Sequence, residues 1–161
     1  MNRNDLNEIL RERVLLLDGS YGAEFVRRGF KGDLPPDVLN LRDPRLVKGV
    51  HQDYVNAGAD IIITNTFGST PYKLKQSGVE EHKEIVESGI KIAKEASQGK
   101  TLVFGDIGPT GALPYPLGEE GFDFFFNNYF ETAKIMVEKG VDGIILETFS
   151  DMLELLSLIH I

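Results

Sequence analysis

Cysteine is absent from the 161 residues. That excludes disulfides, cysteine-held zinc and a thiol nucleophile within this chain. Histidine is scarce: His51, His82 and His160 are the whole complement, and they show no metal-ligand spacing. No apolar run approaches the ~20 residues that cross a bilayer. Positive charge is also in short supply, with 17 Lys and Arg against 25 Asp and Glu and a net charge of −8. Such a chain repels phosphate backbones and anionic lipid, so nucleic acid and membrane surfaces are poor partners for it. Met1 to Arg13 lacks the apolar centre of a secretory signal, and a cytoplasmic protein is expected. With 42% apolar and 26% charged residues, the composition is that of a soluble globular domain, not of a disordered or collagen-like chain.

Four short apolar runs stand out: Val14-Leu15-Leu16-Leu17, Ile61-Ile62-Ile63, Leu102-Val103-Phe104 and Ile144-Ile145-Leu146. Continuous runs of this length suit strands buried on both faces of a parallel sheet. Helical patterns lie between them. Asp43-Pro44 opens one as N-cap and first helical residue; Leu46, Val47, Val50, Tyr54 and Val55 continue it, and Gly58 closes it. A second runs from about Val79 to Ser97, a third from Phe122 to Gly140, and a fourth from about Asp151. The Phe122 to Phe130 aromatic stripe reads as helix packing. His51 and His82 read as surface positions on their helices, and His160 as part of a frayed end. The decapeptide Gly58 to Phe67 repeats as Gly140 to Phe149: helix stop, buried strand, polar tip ending in Thr-Phe.

Alternating strands and helices predict βαβ units, and equivalent units around an axis are what a (βα)8 barrel supplies. Four units are half of such a barrel, which takes about 250 residues when complete. The ending, Leu155 to Ile161, has no cap signal and reads as cut. The expected fold is α/β: the first half of a (βα)8 TIM barrel, about four βα units, over residues 1–161. An open doubly wound sheet is the alternative.

In parallel α/β folds, ligands bind beyond the carboxyl ends of the strands. Asp18, Asn65, Thr66, Asp106 and Glu147 occupy those ends and would share one rim. Asp18-Gly19 fits a tight turn as well as it fits ligand contact. Asn65 and Thr66 fit capping as well as binding. Asp106, before Ile-Gly-Pro, reads better as a loop organiser than as a ligand contact. Glu147 follows buried aliphatics, where an unpaired carboxylate is costly; a ligand ammonium satisfies it better than a helix N-terminus. Gly105, Gly108 and Gly111 miss the spacing of a phosphate loop, and Pro109 removes an amide donor. Gly19 and Gly22 open the backbone toward an anion such as a carboxylate.

These residues also carry a resemblance. Leu15-Leu16-Leu17-Asp18-Gly19-Ser20-Tyr21-Gly22, Asn56 through Phe67, Gly105-Asp106-Ile107-Gly108-Pro109-Thr110-Gly111 and Gly143-Ile144-Ile145-Leu146-Glu147-Thr148-Phe149 resemble the homocysteine S-methyltransferase family. Within it, the homocysteine-binding domain of cobalamin-dependent methionine synthases is the most similar, over about residues 10 to 155. The resemblance implies a (βα)8 barrel, methyl transfer to the thiol of homocysteine to form methionine, and zinc held by cysteines of the second half-barrel. It implies that Asp18 and Glu147 hold the substrate ammonium, while Gly19 and Ser20, with Asn65 and Thr66 nearby, shape the pocket and meet the carboxylate. It also implies a methyl donor or a cobalamin module as partner. This chain has none of the zinc cysteines, so by itself it is expected to orient substrate and to be inactive. The other readings are a stand-alone amino-acid-binding or interaction module and an inactive truncation that self-associates through open barrel edges.

Overall fold

The computed structural model describes residues 3–159 and 161, with side chains from Leu6 onward. Helix α1 (Arg3–Glu12) leads into an extended segment, then α2 (Tyr21–Arg27), a 3-10 turn (Pro36–Val38) and the short α3 (Leu39–Arg42). There follow α4 (Pro44–Ala57), β1 (Ile61–Ile63), α5 (Pro71–Gln76), α6 (His82–Ser97), β2 (Leu102–Ile107), α7 (Phe122–Glu138), β3 (Gly143–Leu146) and α8 (Met152–Ile159). His160 lies outside the described residues.

The strands are parallel and consecutive, in the order β1-β2-β3, with Ile61 beside Leu102 and Phe104 beside Gly143. A monotonic order is the arc of a barrel. A doubly wound sheet reverses order at its switch point, and no reversal occurs among the described strands. The chain turns as its caps dictate. The Asp43 carboxylate accepts the Leu46 amide at 3.1 Å, Pro44 opens α4, and Gly58 closes it at φ 95°, where a side chain would be strained. The sequence pattern misses α1, α2, the 3-10 turn, α3 and α5; the last is capped by Thr70, which accepts the Lys73 amide.

Packing explains the helix faces. Helix α6 lies between α4 and α7 and covers β1 and β2. Val47 and Val50 of α4 meet Tyr21, Phe25 and Ile63, while Phe125, Tyr129 and Met136 of α7 meet Val86, Ile90 and Ile107. The aromatic stripe divides accordingly. Phe125 and Tyr129 are buried, and Phe122, Phe126 and Phe130 stack along the outer side of the same helix.

Two expectations about strands need correction. Val14–Leu17 forms no extended strand: Leu17 makes one parallel bridge to Ile61, and the Leu16 carbonyl accepts the Asp60 amide at 2.8 Å. Val14 and Leu16 are exposed. Likewise β3 is half-buried throughout. Both segments border the sheet, so neither has a described neighbour on its outer side, and an apolar run buries fully only between neighbours. No helix among the described residues is long and apolar enough to cross a membrane.

Candidate functional site

The carboxyl ends of the strands surround a cavity of about 480 Å³. Its walls include Asp18 after the Leu17 bridge, Asp37 on the 3-10 turn, Asn65 after β1, Asp106 in β2 and Glu147 after β3. Of the predicted residues, Asp18, Gly19, Ser20, Asn65 and Glu147 line it, and Thr66 does not. The Thr66 hydroxyl instead donates to the Asp106 carbonyl at 2.8 Å and pairs with the Thr64 hydroxyl at 2.6 Å. It therefore braces the segment after β1 against β2. The Ser20 hydroxyl caps α2 by accepting the Ala23 amide. The Asn65 amide donates to the Pro36 carbonyl and to Asn40, each at 3.0 Å, which ties the rim to the 3-10 turn.

Asp106 sits within a strand, contrary to its reading as a loop organiser. It is 2% exposed, and its Oδ1 has no hydrogen-bond partner among the described residues. Burial, with the negative charges of Glu147, Asp37 and Asp18 around it, pushes its carboxyl up to about 8; Lys73 opposes the shift. Asp18 is half-buried, and burial pushes it up to about 6, against hydrogen bonds from Tyr21 and the Ile63 amide. Burial also raises Asp37, although the Ser69 hydroxyl and the Gly68 amide bind it at 2.6 and 2.9 Å. Lys73 opposes the shift at Asp37 and Asp106, and its Nζ is turned to the Pro109 carbonyl and the Phe67 ring. Four carboxyl groups around one small space favour a cationic ligand. Thr148, beside Glu147, holds φ 64°, a conformation disfavoured for a β-branched residue. Such strain concentrates at ligand sites.

Behind Asp18 lies a second layer the sequence reading missed. His51 is fully buried, not on the surface, because its side of α4 is the one that meets Tyr21. Its Nδ1 is 2.7 Å from the Tyr21 hydroxyl, which also binds Asp18 Oδ2. Burial holds the imidazole down at about 3, so it is neutral. His82 is half-buried rather than exposed, with Nε2 3.0 Å from the Thr132 hydroxyl. The loop after β2 is closed from within: Glu154 Oε1 accepts the Thr110 amide and hydroxyl and the Tyr129 hydroxyl. Gly108 of that loop lies against Phe67, whose ring an added Cβ would meet at 2.3 Å. Asp106, placed on the rim from sequence but read there as a loop organiser, carried a clear signal, a carboxylate closing an apolar run. Asp37 carried none, since its role depends on a loop folding back over β1.

No three His, Cys, Asp or Glu side chains among the described residues are arranged to hold a metal ion. With no cysteine in the sequence, the residues present do not fit a thiolate-held zinc.

Comparison with known proteins bears on the family and the fold. The chain is 30% identical over 166 residues to the methionine synthase of Mycobacterium tuberculosis, and 31% identical over 164 residues to that of Mycobacterium leprae. Each match takes in 94% of this chain and 14% of the relative, so the chain spans about a seventh of those proteins. Its backbone matches the homocysteine methyltransferase MmuM of Escherichia coli in its metallated form with a TM-score of 0.83 at 23% identity, over 96% of this chain and 61% of that one. The apo form of the same enzyme matches with a TM-score of 0.72 at 24% identity, over 94% and 56%. Those likenesses establish the fold as part of a barrel. The sequence pattern of the homocysteine S-methyltransferases matches residues 15–161, and the chain belongs to that family.

Proposed function

We propose that residues 1–161 form the substrate-holding part of a homocysteine S-methyltransferase barrel of the methionine synthase type. The observation that carries this reading is the cavity ringed by Asp18, Asp106 and Glu147, in which two buried carboxyl oxygens, Oδ1 of Asp18 and of Asp106, have no partner among the described residues. A buried unpaired carboxylate is costly, and the ammonium of an amino acid offers three N–H donors to such a ring. Asp18 and Glu147 take the ammonium. The amides at Gly19 and Ser20 lie on the same wall and face the carboxylate, with Asn65 beside them. Thr66 acts on the site through the Asp106 backbone.

Holding homocysteine in one orientation supplies the positioning part of methyl transfer. It does not turn the thiol into a nucleophile. In this proposal that step, together with zinc and the methyl donor, belongs to groups outside this chain, and cobalamin enters as methyl carrier on the likeness of the motifs alone. The isolated chain binds and does not turn over.

Calorimetry on the chain at pH 7.5 tests the proposal with homocysteine and with 4-mercaptobutyrate, which lacks the amino group. Homocysteine is expected to bind and the desamino compound not to. Asp18→Asn and Glu147→Gln are each expected to weaken binding at least about tenfold, equivalent to ~1.4 kcal/mol and close to the lower end for a hydrogen bond to a charged group. Equal heats for the two compounds would remove the ammonium from the proposal.

The open border at β3 and Leu17 favours a second property, self-association of copies edge to edge. Sedimentation velocity across a concentration series is expected to show a dimer; a single monomeric species throughout would exclude it.

A further inference from the structure

We propose that His51 and Tyr21 are positioning residues: through the order His51 to Tyr21 to Asp18 they lock one oxygen of the Asp18 carboxylate and leave the other to meet the substrate ammonium. The inference rests on the reading of this cavity as an amino-acid site.

The order of donors follows from the geometry. Asp18 Oδ2 accepts from the Tyr21 hydroxyl and, at 2.9 Å, from the Ile63 amide. A hydroxyl has one hydrogen, and Tyr21 gives it to Asp18. The hydrogen in the 2.7 Å contact between Tyr21 and His51 therefore comes from His51 Nδ1. That assigns the tautomer of a ring that is 0% exposed and whose Nε2 finds no partner among the described residues. A histidine with one nitrogen left unsatisfied in an apolar core is costly, and a leucine of similar bulk would pack there without that cost. What the imidazole adds is a donor to Tyr21 from a rigid helix.

The consequence falls on Asp18. Three elements converge on its Oδ2: α2 through Tyr21, α4 through His51 behind Tyr21, and β1 through the Ile63 amide. Its Oδ1 is buried and has no partner among the described residues. The carboxylate cannot rotate without breaking two hydrogen bonds, so Oδ1 is presented in a fixed direction. The charged and titratable groups that act on Asp18 are Tyr21, Glu147, Tyr54 and Asp106. Of these, Tyr21 lowers its carboxyl and Glu147 raises it. Binding of an ammonium needs the ionised carboxylate and is gained as pH rises through about 6.

Carbon-13 NMR of the Asp18 carboxyl in the unliganded chain, alongside homocysteine affinity across pH 5 to 9, tests the proposal. Tyr21→Phe removes the donor and keeps the ring. The Asp18 midpoint is expected to rise by about one pH unit, the size of one lost hydrogen bond, and the binding profile to move alkaline with it. His51→Asn places an amide donor near the Nδ1 position and is expected to keep the native midpoint; His51→Leu is expected to shift it alkaline. Loss of affinity in Tyr21→Phe at an unmoved midpoint, with the amide spectrum of a folded chain, would reduce Tyr21 to packing and overturn the proposal. Equal midpoints for His51→Asn and His51→Leu would overturn the part of His51. If the midpoints shift as expected but homocysteine does not bind the native chain, the hydrogen-bonded order stands, and the amino-acid reading, with the positioning role that depends on it, is overturned.

Discussion

Asp106→Asn is expected to stabilise the chain increasingly as pH rises, by an amount on the order of 5 kcal/mol at pH 9. Asp106 is 2% exposed in β2, has an oxygen with no partner among the described residues, and feels the charges of Asp18, Asp37 and Glu147. In the fold its carboxyl is pushed up to about 8 from the ordinary 3.8, first by burial and then by those charges. The folded state therefore favours the neutral acid. Below about pH 4 the group is neutral in both folded and unfolded chains, and no stability is lost. Between pH 4 and 8 the unfolded chain releases the proton and the folded chain keeps it, so stability falls with each unit. Above 8 the loss is complete. Asparagine cannot ionise, and its amide donates to the carboxylates around it.

Urea unfolding of both chains at pH 4.5, 7 and 9 measures the effect, and the difference between the two free energies isolates Asp106. The comparison matters because His51 acts with the opposite sign. Its folded value of about 3 lies below the ordinary 6.5, so it withdraws stability as pH falls from 6.5 toward 3. Parallel pH profiles for the two chains would mean that Asp106 ionises in the fold as it does in water.

Glu154→Ala is expected to cost about 3–5 kcal/mol. Glu154 of α8 is buried, and its Oε1 accepts from the Thr110 amide at 2.8 Å, the Thr110 hydroxyl at 2.6 Å and the Tyr129 hydroxyl at 2.6 Å. Truncation strands these donors at once. Each stranded buried donor costs about 1–3 kcal/mol, less than additively because water or neighbours satisfy some of them. The Thr110 amide also meets the Tyr129 oxygen at 3.0 Å, which moderates the loss. Glu154→Gln keeps an acceptor and is expected to lose about half as much. Denaturant midpoints at pH 7 measure both; a loss under about 1 kcal/mol for the alanine variant would show that the cluster is solvated. Because the same carboxylate pins the loop that follows Asp106, the alanine variant is also expected to weaken amino-acid binding.

Much of the site was legible before the fold was known. The apolar runs before Asn65 and Glu147 announced parallel strands with polar tips, the run before Asp18 gave only a single bridge, and all three tips line one cavity. The caps of α4 were legible for a local reason: Asp43, Pro44 and Gly58 each act on backbone groups within a few residues. What stayed hidden depends on contacts far apart in sequence. Thr66 carries a binding motif's neighbourhood but spends its hydroxyl on β2. Asp37 enters the site from the 3-10 turn because Gly68 and Ser69 bind it across 31 and 32 residues. His51 looks like any polar residue on an amphipathic helix until α2 sets Tyr21 against it.

The sequence by itself determined the βα alternation, the helix caps and the set of carboxylates at the strand ends, because each follows from periodicity or from chemistry within one turn of chain. Only the tertiary structure decided which carboxyls are pushed toward their neutral forms, which hydroxyls brace strands instead of facing a ligand, and that a histidine stands behind Asp18. Desolvation and hydrogen-bond partnership are properties of the space around a group, and that space is assembled from α2, α4, the 3-10 turn and three strands at once.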